Sequence, residues 1–232
     1  MIDLSADLGE GSPDEAEIWP LITSANVACG GHTGDEQSMR EAARLAQQHG
    51  VRFGAHPSYP DRENFGRKTL SIPADELRDS LIAQIAALNI FARVQHVKPH
   101  GALYNDAHKK RALADVIVQA MRDVDVALSI VAPDHSQMAA SARAAGMNVI
   151  REAFADRRYE PDGSLTPRSI PRSTLTVEES VVQAALLVNE SAVVTRDGSR
   201  VSIAYDTICI HADMANAVER LRAIRSRCTI DK

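Results

Sequence analysis

The stretch His96-Val97-Lys98-Pro99-His100-Gly101-Ala102-Leu103-Tyr104-Asn105 turns a very short apolar segment into a knot of ionisable and hydrogen-bonding side chains. Val94 and Val97 are its β-formers, and Pro99 has no N–H for a ladder, so strand pairing should stop at or just before it. The polar groups then stand at a strand's exit. Imidazole, ammonium, imidazole and phenol lie close together there, offering a general base, a general acid and an oxyanion donor at once. The plain alternative is a turn with a solvated lysine and a structural histidine. Recurrence of the arrangement elsewhere in the chain decides between them.

It does recur. Strand-like residues 2–6 run into Asp7-Leu8-Gly9-Glu10-Gly11, residues 25–29 into Gly30-Gly31-His32-Thr33-Gly34-Asp35, and residues 51–55 into His56-Pro57-Ser58-Tyr59-Pro60-Asp61. Helical spacing fills the intervals: residues 14–24, then 36–49 with Met39, Ala42, Ala43 and Ala46 on one face and Gly50 as the stop. Pro73 opens a further helix whose inner face is Leu77, Leu81, Ile85, Leu88 and Ala92. Helices are expected at 109–122 and 133–145, and strands at 128–132 and 148–151, the last followed by Glu152 and Asp156. Thr176 with Glu179 reads as a capping box, residues 193–195 and 201–204 as a hairpin, residues 206–210 as a strand ending in His211, and 215–225 as a last helix. The long polar loop through Arg62, Asn64, Phe65, Gly66 and Arg67 reads as a lid.

Strand, polar exit and helix therefore alternate about seven times, the signature of an α/β protein with parallel strands and helical crossovers. An open doubly wound sheet would spread the ionisable exits along a line. A closed α/β barrel gathers them at one mouth, so a single barrel domain over residues 1–232 is the expected fold.

Net charge is -5 with no basic stripe, which argues against a nucleic-acid partner. No apolar run is long enough to cross a bilayer, and the first residues lack the basic and apolar regions of a secretory signal. Cys29, Cys209 and Cys228 are odd in number and widely spread, which suits a reducing cytoplasm.

The pooled strand-end set is Asp7, Glu10, His32, Asp35, His56, Asp61, Lys98, His100, Tyr104, Glu152, Asp156, Arg168 and His211. Any one of these is commonly structural; their shared position is what points to a site. Phosphate-binding, dinucleotide-binding, nucleophile-elbow and H-E-x-x-H motifs are absent. Asp7, His32 and His56 could hold a zinc-like ion, although no local ligand spacing supports this and metal-free acid–base chemistry is the simpler reading.

The segments Asp3 to Gly11, Ser24 to Asp35, Gly54 to Asp61, Val97 to Asn105 and Phe154 to Arg157 closely resemble, in order and over essentially the whole chain, the LamB/YcsF family of 5-oxoprolinase components. The chain departs from that family's usual pattern at Ser5, Gly31, Thr33, Ala212 and Met214. The resemblance implies a distorted seven-stranded (β/α) barrel related to the glycoside hydrolase/deacetylase barrels. It also implies work with partner subunits B and C (PxpB and PxpC), ATP consumed by the complex, and hydrolytic opening of 5-oxoproline to L-glutamate. Within it, Asp7 or Glu10 with His56 or His100 would deliver water, and Lys98 would stabilise the oxyanion or protonate the departing amine. Asn26, His32, Asp35, Tyr104 and His211 would contact substrate, and Arg168 would hold its carboxylate. A stand-alone metal-dependent N-deacetylase and a non-catalytic binding subunit stay open as alternatives, as does a bound divalent metal.

Overall fold

In the computed structural model, which describes residues 2–228, seven parallel strands close into a ring. Six of them, in chain order, are β1 (Asp3–Leu8), β2 (Ser24–Ala28), β3 (Arg52–His56), β4 (His96–Val97), β5 (Ser129–Ala132) and β6 (Val149–Phe154). A small antiparallel hairpin of β7 (Ala192–Val194) and β8 (Arg200–Ser202) stands outside the ring, and the seventh barrel strand, β9 (Thr207–Ile210), pairs with both β6 and β1 to close it. The expected distorted seven-stranded barrel is what forms. No helix among the described residues is long and apolar enough to cross a membrane.

Period-2 alternation divides each strand between two environments. Leu4, Ala6 and Leu8 of β1, Val27 of β2 and Ile208 of β9 join the apolar core that the strands share with the helices. The other face is polar on β1 and β2, with Asp3, Ser5, Ser24 and Asn26 facing the lumen, while Val131 of β5 and Ile150 of β6 line it with apolar side chains. Asn26 on β2 accepts from His96 Nε2 on β4 at 3.1 Å, and Lys98, just past β4, reaches Asp7 on β1 at 3.0 Å. Neither pair of strands is adjacent in the ring, so both contacts cross the lumen. Barrel interiors are usually filled by branched apolar side chains; here the lumen is largely polar, and its polar groups are tolerated because they satisfy one another. At the end opposite the site, Asp3 accepts from Thr23 and Ser24 and pairs with Arg52 at 2.6 Å.

Gly54 makes this packing possible. It sits beside His96 in the β3–β4 register, and a Cβ there would collide with the His96 ring.

The helices are α1 (Glu15–Ile18), α2 (Glu36–His49), α3 (Ala74–Asn89), α4 (Gly101–Lys109), α5 (Arg111–Val124), α6 (Gln137–Ala144), α7 (Val177–Glu190) and α8 (Ala217–Arg227). The capping box of Thr176 with Glu179 opens α7, and Gly50 closes α2 in the left-handed conformation, both as read from sequence.

Three expectations differ. The helix expected over 14–24 is only α1 followed by a 3-10 turn, Trp19–Leu21, carrying Pro20. Strand β6 extends to Phe154, so Glu152 lies within it rather than past its end; in a closed lumen an inward carboxylate can be paired and need not break a strand. An additional helix, α4, starts straight after His100, where the Ala102 N–H donates to the Gly66 carbonyl at 2.9 Å. That distant partner has no local sequence signal.

Burial drives the His96 pKa from 6.5 to about 4. Between those values the unfolded chain binds a proton that the folded chain refuses. The stability His96 contributes is therefore full above about pH 6.5 and lost as pH falls through about 4, a change of about 3 kcal/mol. Urea unfolding across pH 4–7 should show this limb, and His96→Gln should reduce it by that amount, the remainder belonging to His32, His56 and His100; unchanged pH dependence in the variant would refute the assignment.

Candidate active site

Lys98, Asp7, Glu152 and Cys209 meet at the carboxyl end of the barrel. The Lys98 ammonium lies 3.0 and 3.1 Å from the two Asp7 oxygens, 2.7 Å from Glu152 Oε1 and 3.2 Å from Cys209 Sγ. Asn26 Nδ2 donates to Asp7 Oδ1 at 2.9 Å and the Tyr104 hydroxyl donates to Glu152 Oε2 at 2.8 Å. All six side chains are buried.

Burial pushes the Asp7 carboxyl up, but His56 and Lys98 outweigh it and hold Asp7 well below the usual range. With His56 itself kept neutral by burial, Lys98 is the charge that does this at neutral pH. Burial opposes the ammonium too, and Asp7 and Glu152 more than offset it, so Lys98 stays charged, while burial keeps Cys209 a neutral thiol. One cation between two carboxylates leaves Glu152 as the weaker partner, with burial raising it.

Above this group stand three histidines and a glutamate. His56 Nδ1–H donates to the Lys98 carbonyl at 2.7 Å, and His100 Nε2–H to the Phe65 carbonyl at 3.0 Å. The remaining nitrogens, His56 Nε2 and His100 Nδ1, face each other at 2.9 Å. Glu10 Oε1 lies 3.0 Å from His32 Nε2, 3.4 Å from His100 Nδ1 and 3.8 Å from His56 Nε2, while Asp7 Oδ2 is 3.5 Å from His56 Nε2. The His32 and His100 rings stack at 3.7 Å. Burial lowers both to about 4, His100 with the added effect of His32, whereas burial and the charge of Asp7 raise Glu10 to about 7. Neutral imidazoles beside a carboxyl that titrates near neutrality can accept and pass a proton. Their donor atoms all lie within 4.8 Å of one another, so the same four residues could hold a divalent transition ion.

The loop after β3 is a fixed wall here. Arg62 donates to the Gly30 and Gly34 carbonyls at 3.0 and 2.9 Å, and Arg67 bridges to Asp213 at 2.6 Å. Phe65 adopts a left-handed φ of 54°, a strained backbone that aims its carbonyl at His100. Its ring meets those of His32 and His100 edge-on.

The LamB/YcsF family model matches residues 2–231, nearly the full length over which these residues are spread. The chain belongs to the LamB/YcsF family. It is 45% identical over 230 residues to the 5-oxoprolinase A-chain of Neisseria meningitidis serogroup A, covering 97% of this chain and 94% of that one. The corresponding 5-oxoprolinase A-chain of Methylococcus capsulatus is likewise 45% identical, over 236 residues, with 97% and 90% covered. Among solved structures, a lactam utilization protein from Thermus thermophilus has a TM-score of 0.91 at 40% identity, covering 97% of this chain and 95% of that one.

In this LamB/YcsF barrel, Asp7, Glu10, Asn26, His32, His56, Lys98, His100 and Tyr104 converge as the sequence suggested. His211 lies beside them, its ring on the buried Asp156 carboxylate at 3.0 Å and stacked against Phe154, over which Lys98 also sits. Two expected substrate contacts, Asp35 and Arg168, are exposed and do not join this buried cluster. Asp35 is exposed and engaged in the capping box of α2 with Ser38, and Asp61, another member of the strand-end set, is engaged in a local turn with Asn64. Arg168 is exposed and makes no ion pair among the described residues; the buried guanidinium of that region is Arg157, which donates to the Thr166 carbonyl at 2.8 Å. His96, read as one imidazole of the opening stretch, and Cys209, read only as a widely spaced thiol, were left out of the strand-end set, although inward alternation from Lys98 and His211 points to both. Gly31, a departure from the family pattern, has no room for a side chain, because Gln84 and Ser58 occupy it.

Gly66 tests the wall. Its φ is 61°, and a Cβ would lie 2.9 Å from His32 Cβ and 3.1 Å from His100 Cδ2, whereas Gly50, at φ 66°, faces open space. A left-handed alanine costs about 1–2 kcal/mol at either position. Gly66→Ala should lose clearly more than Gly50→Ala in urea unfolding, and should shift the His32 and His100 ring resonances; equal losses with unmoved resonances would show that the loop does not hold the histidines.

Proposed function

We propose that this chain is the A component of a 5-oxoprolinase, acting with partner subunits B and C to open 5-oxoproline to L-glutamate while the complex hydrolyses ATP. The observation that carries the reading is the convergence of Asp7, Lys98 and the Glu10–histidine cluster at one barrel mouth in a chain whose relatives are 5-oxoprolinase A-chains. Three free, buried cysteines are compatible with a cytoplasmic setting.

A five-membered lactam is a resonance-stabilised amide, so its carbonyl carbon resists water and needs activation, which the ATP step in the complex supplies. Hydrolysis forms a C–O bond from water, breaks the ring C–N bond and moves one proton to the departing nitrogen. The cluster of Glu10 with His32, His56 and His100 carries unengaged lone pairs and a carboxyl near neutrality, and it takes the water proton as a unit. Lys98 lies on the other side of Asp7, where its charge opposes that of an oxyanion. Cys209 is its least strongly bound partner and the one a substrate oxygen would displace. Tyr104 and Asn26 hold the two carboxylates rather than facing outward, so their part is positioning.

The reconstituted three-component complex should consume 5-oxoproline only when ATP is present, and the chain alone should not. Lys98→Met should abolish glutamate release while circular dichroism shows a folded barrel; near-normal turnover would remove Lys98 from the chemistry. Acyl-amide cleavage by the chain alone, without ATP, would favour an N-deacetylase instead. Full activity in His56→Ala/His100→Ala would mark a non-catalytic binding subunit.

A further inference from the structure

The hydrogen-bond arithmetic of the histidine cluster does not close with protein atoms alone. His56 Nδ1 and His100 Nε2 are both committed as donors to backbone carbonyls, at 2.7 and 3.0 Å. A neutral imidazole carries one N–H. His56 Nε2 and His100 Nδ1 are then two lone pairs pointed at each other across 2.9 Å, with Glu10 Oε1 3.8 and 3.4 Å from them and Asp7 Oδ2 3.5 Å from the former. Two facing lone pairs at this distance need a proton or a metal cation between them, and the number of donors that converge here favours the cation.

We propose that Glu10, His32, His56 and His100 bind one divalent transition-metal ion of the zinc class through Glu10 Oε1, His32 Nε2, His56 Nε2 and His100 Nδ1. The spacing fits. Four donors held at zinc–nitrogen and zinc–oxygen bond lengths in a tetrahedron lie about 3.3 Å apart. Four of the separations among these donors are 2.9, 3.0, 3.4 and 3.8 Å. Three imidazoles and one carboxylate suit zinc and its neighbours better than magnesium or calcium, which prefer oxygen shells. The Lys98 and Phe65 carbonyls already do what outer-sphere partners of metal-bound histidines do, fixing tautomer and ring orientation. Phe65 does so from a strained backbone conformation. The ligands differ from those the sequence suggested: Asp7 is held by Lys98 and Asn26, and Glu10 stands in its place. When bound, such an ion would occupy these lone pairs and take over their part in activating water, which it would acidify at a further, open coordination position.

The inference deepens the proposed activity at the same site, yet its test does not depend on turnover. The full chain, stripped with a chelator and dialysed, is titrated with Co²⁺ and followed by visible absorption, and in parallel with Zn²⁺ followed by calorimetry and elemental analysis. One equivalent should bind, with the absorption of a four- or five-coordinate Co²⁺ site. Glu10→Gln should weaken binding at least tenfold, and His56→Ala/His100→Ala should abolish it. His135→Ala, at the remote His108–His135 pair, should leave it unchanged. Thermal unfolding of the wild-type chain with and without Zn²⁺ gives a readout that no variant can confound, and the midpoint should rise with metal. Absence of saturable Co²⁺ and Zn²⁺ uptake by the wild-type chain, or uptake unaltered in the folded double variant, overturns the proposal in favour of a proton shared between His56 and His100. ATP-dependent 5-oxoproline turnover by a complex built with the stripped chain would then leave the activity standing without the metal. Metal uptake without turnover would leave the site standing without the activity.

Discussion

The ammonium of Lys98 is what allows this barrel to be polar inside. Two carboxylates, Asp7 and Glu152, come from different strands of the ring and would repel each other in a medium with little screening. Placed between them, the lysine converts that repulsion into a cross-barrel tie, and Asn26, Tyr104 and Cys209 use up the remaining hydrogen-bonding capacity. A buried ion pair adds little net stability over a well-packed apolar core, and losing one partner is severe. The arrangement therefore makes best sense as one kept for chemistry.

That tie divides the mouth of the barrel into two compartments. Below it the lumen is closed by His96, Ser5, Thr207 and the Asp3–Arg52 pair, with Gly54 giving the His96 ring its space. Above it the histidines and Glu10 form a second cluster, which touches the first through Asp7 and the Lys98 carbonyl. Lys98 thus serves both through different atoms, its ammonium ordering the carboxylates and its carbonyl setting the His56 tautomer. The Lys98 ammonium stands on one side of Asp7 and the lone pairs of neutral imidazoles on the other, the polarity that the proposed amide hydrolysis would use.

Legibility followed the range of the interactions. The α2 stop at Gly50, the α7 capping box and the strand exits at Asp7, His32, His56 and His100 are written in residues near one another along the chain. The helix after His100 was missed because Gly66, far away in sequence, anchors its first turn. Arg168 and Asp35 looked like Glu10 and Lys98 in residue type and in their position near strand ends. Asp35, however, is consumed by its own helix cap, and Arg168 stays in solvent. Glu152 was visible as a carboxylate but was assigned to a loop, since paired burial of charge cannot be read from one strand.

The amino-acid sequence alone determined the alternation of about seven strands with helices, the placing of ionisable residues at strand ends and the family resemblance, which together pointed to a closed barrel. Each of these rests on local periodicity, turn chemistry and the order of short motifs. Tertiary structure alone decided that Glu10, and not Asp7, completes the histidine cluster, that the loop through Phe65 is a wall, and that the lumen is charged. Those outcomes depend on which side chains meet across a closed ring, a distance set by barrel geometry that no stretch of the chain encodes by itself.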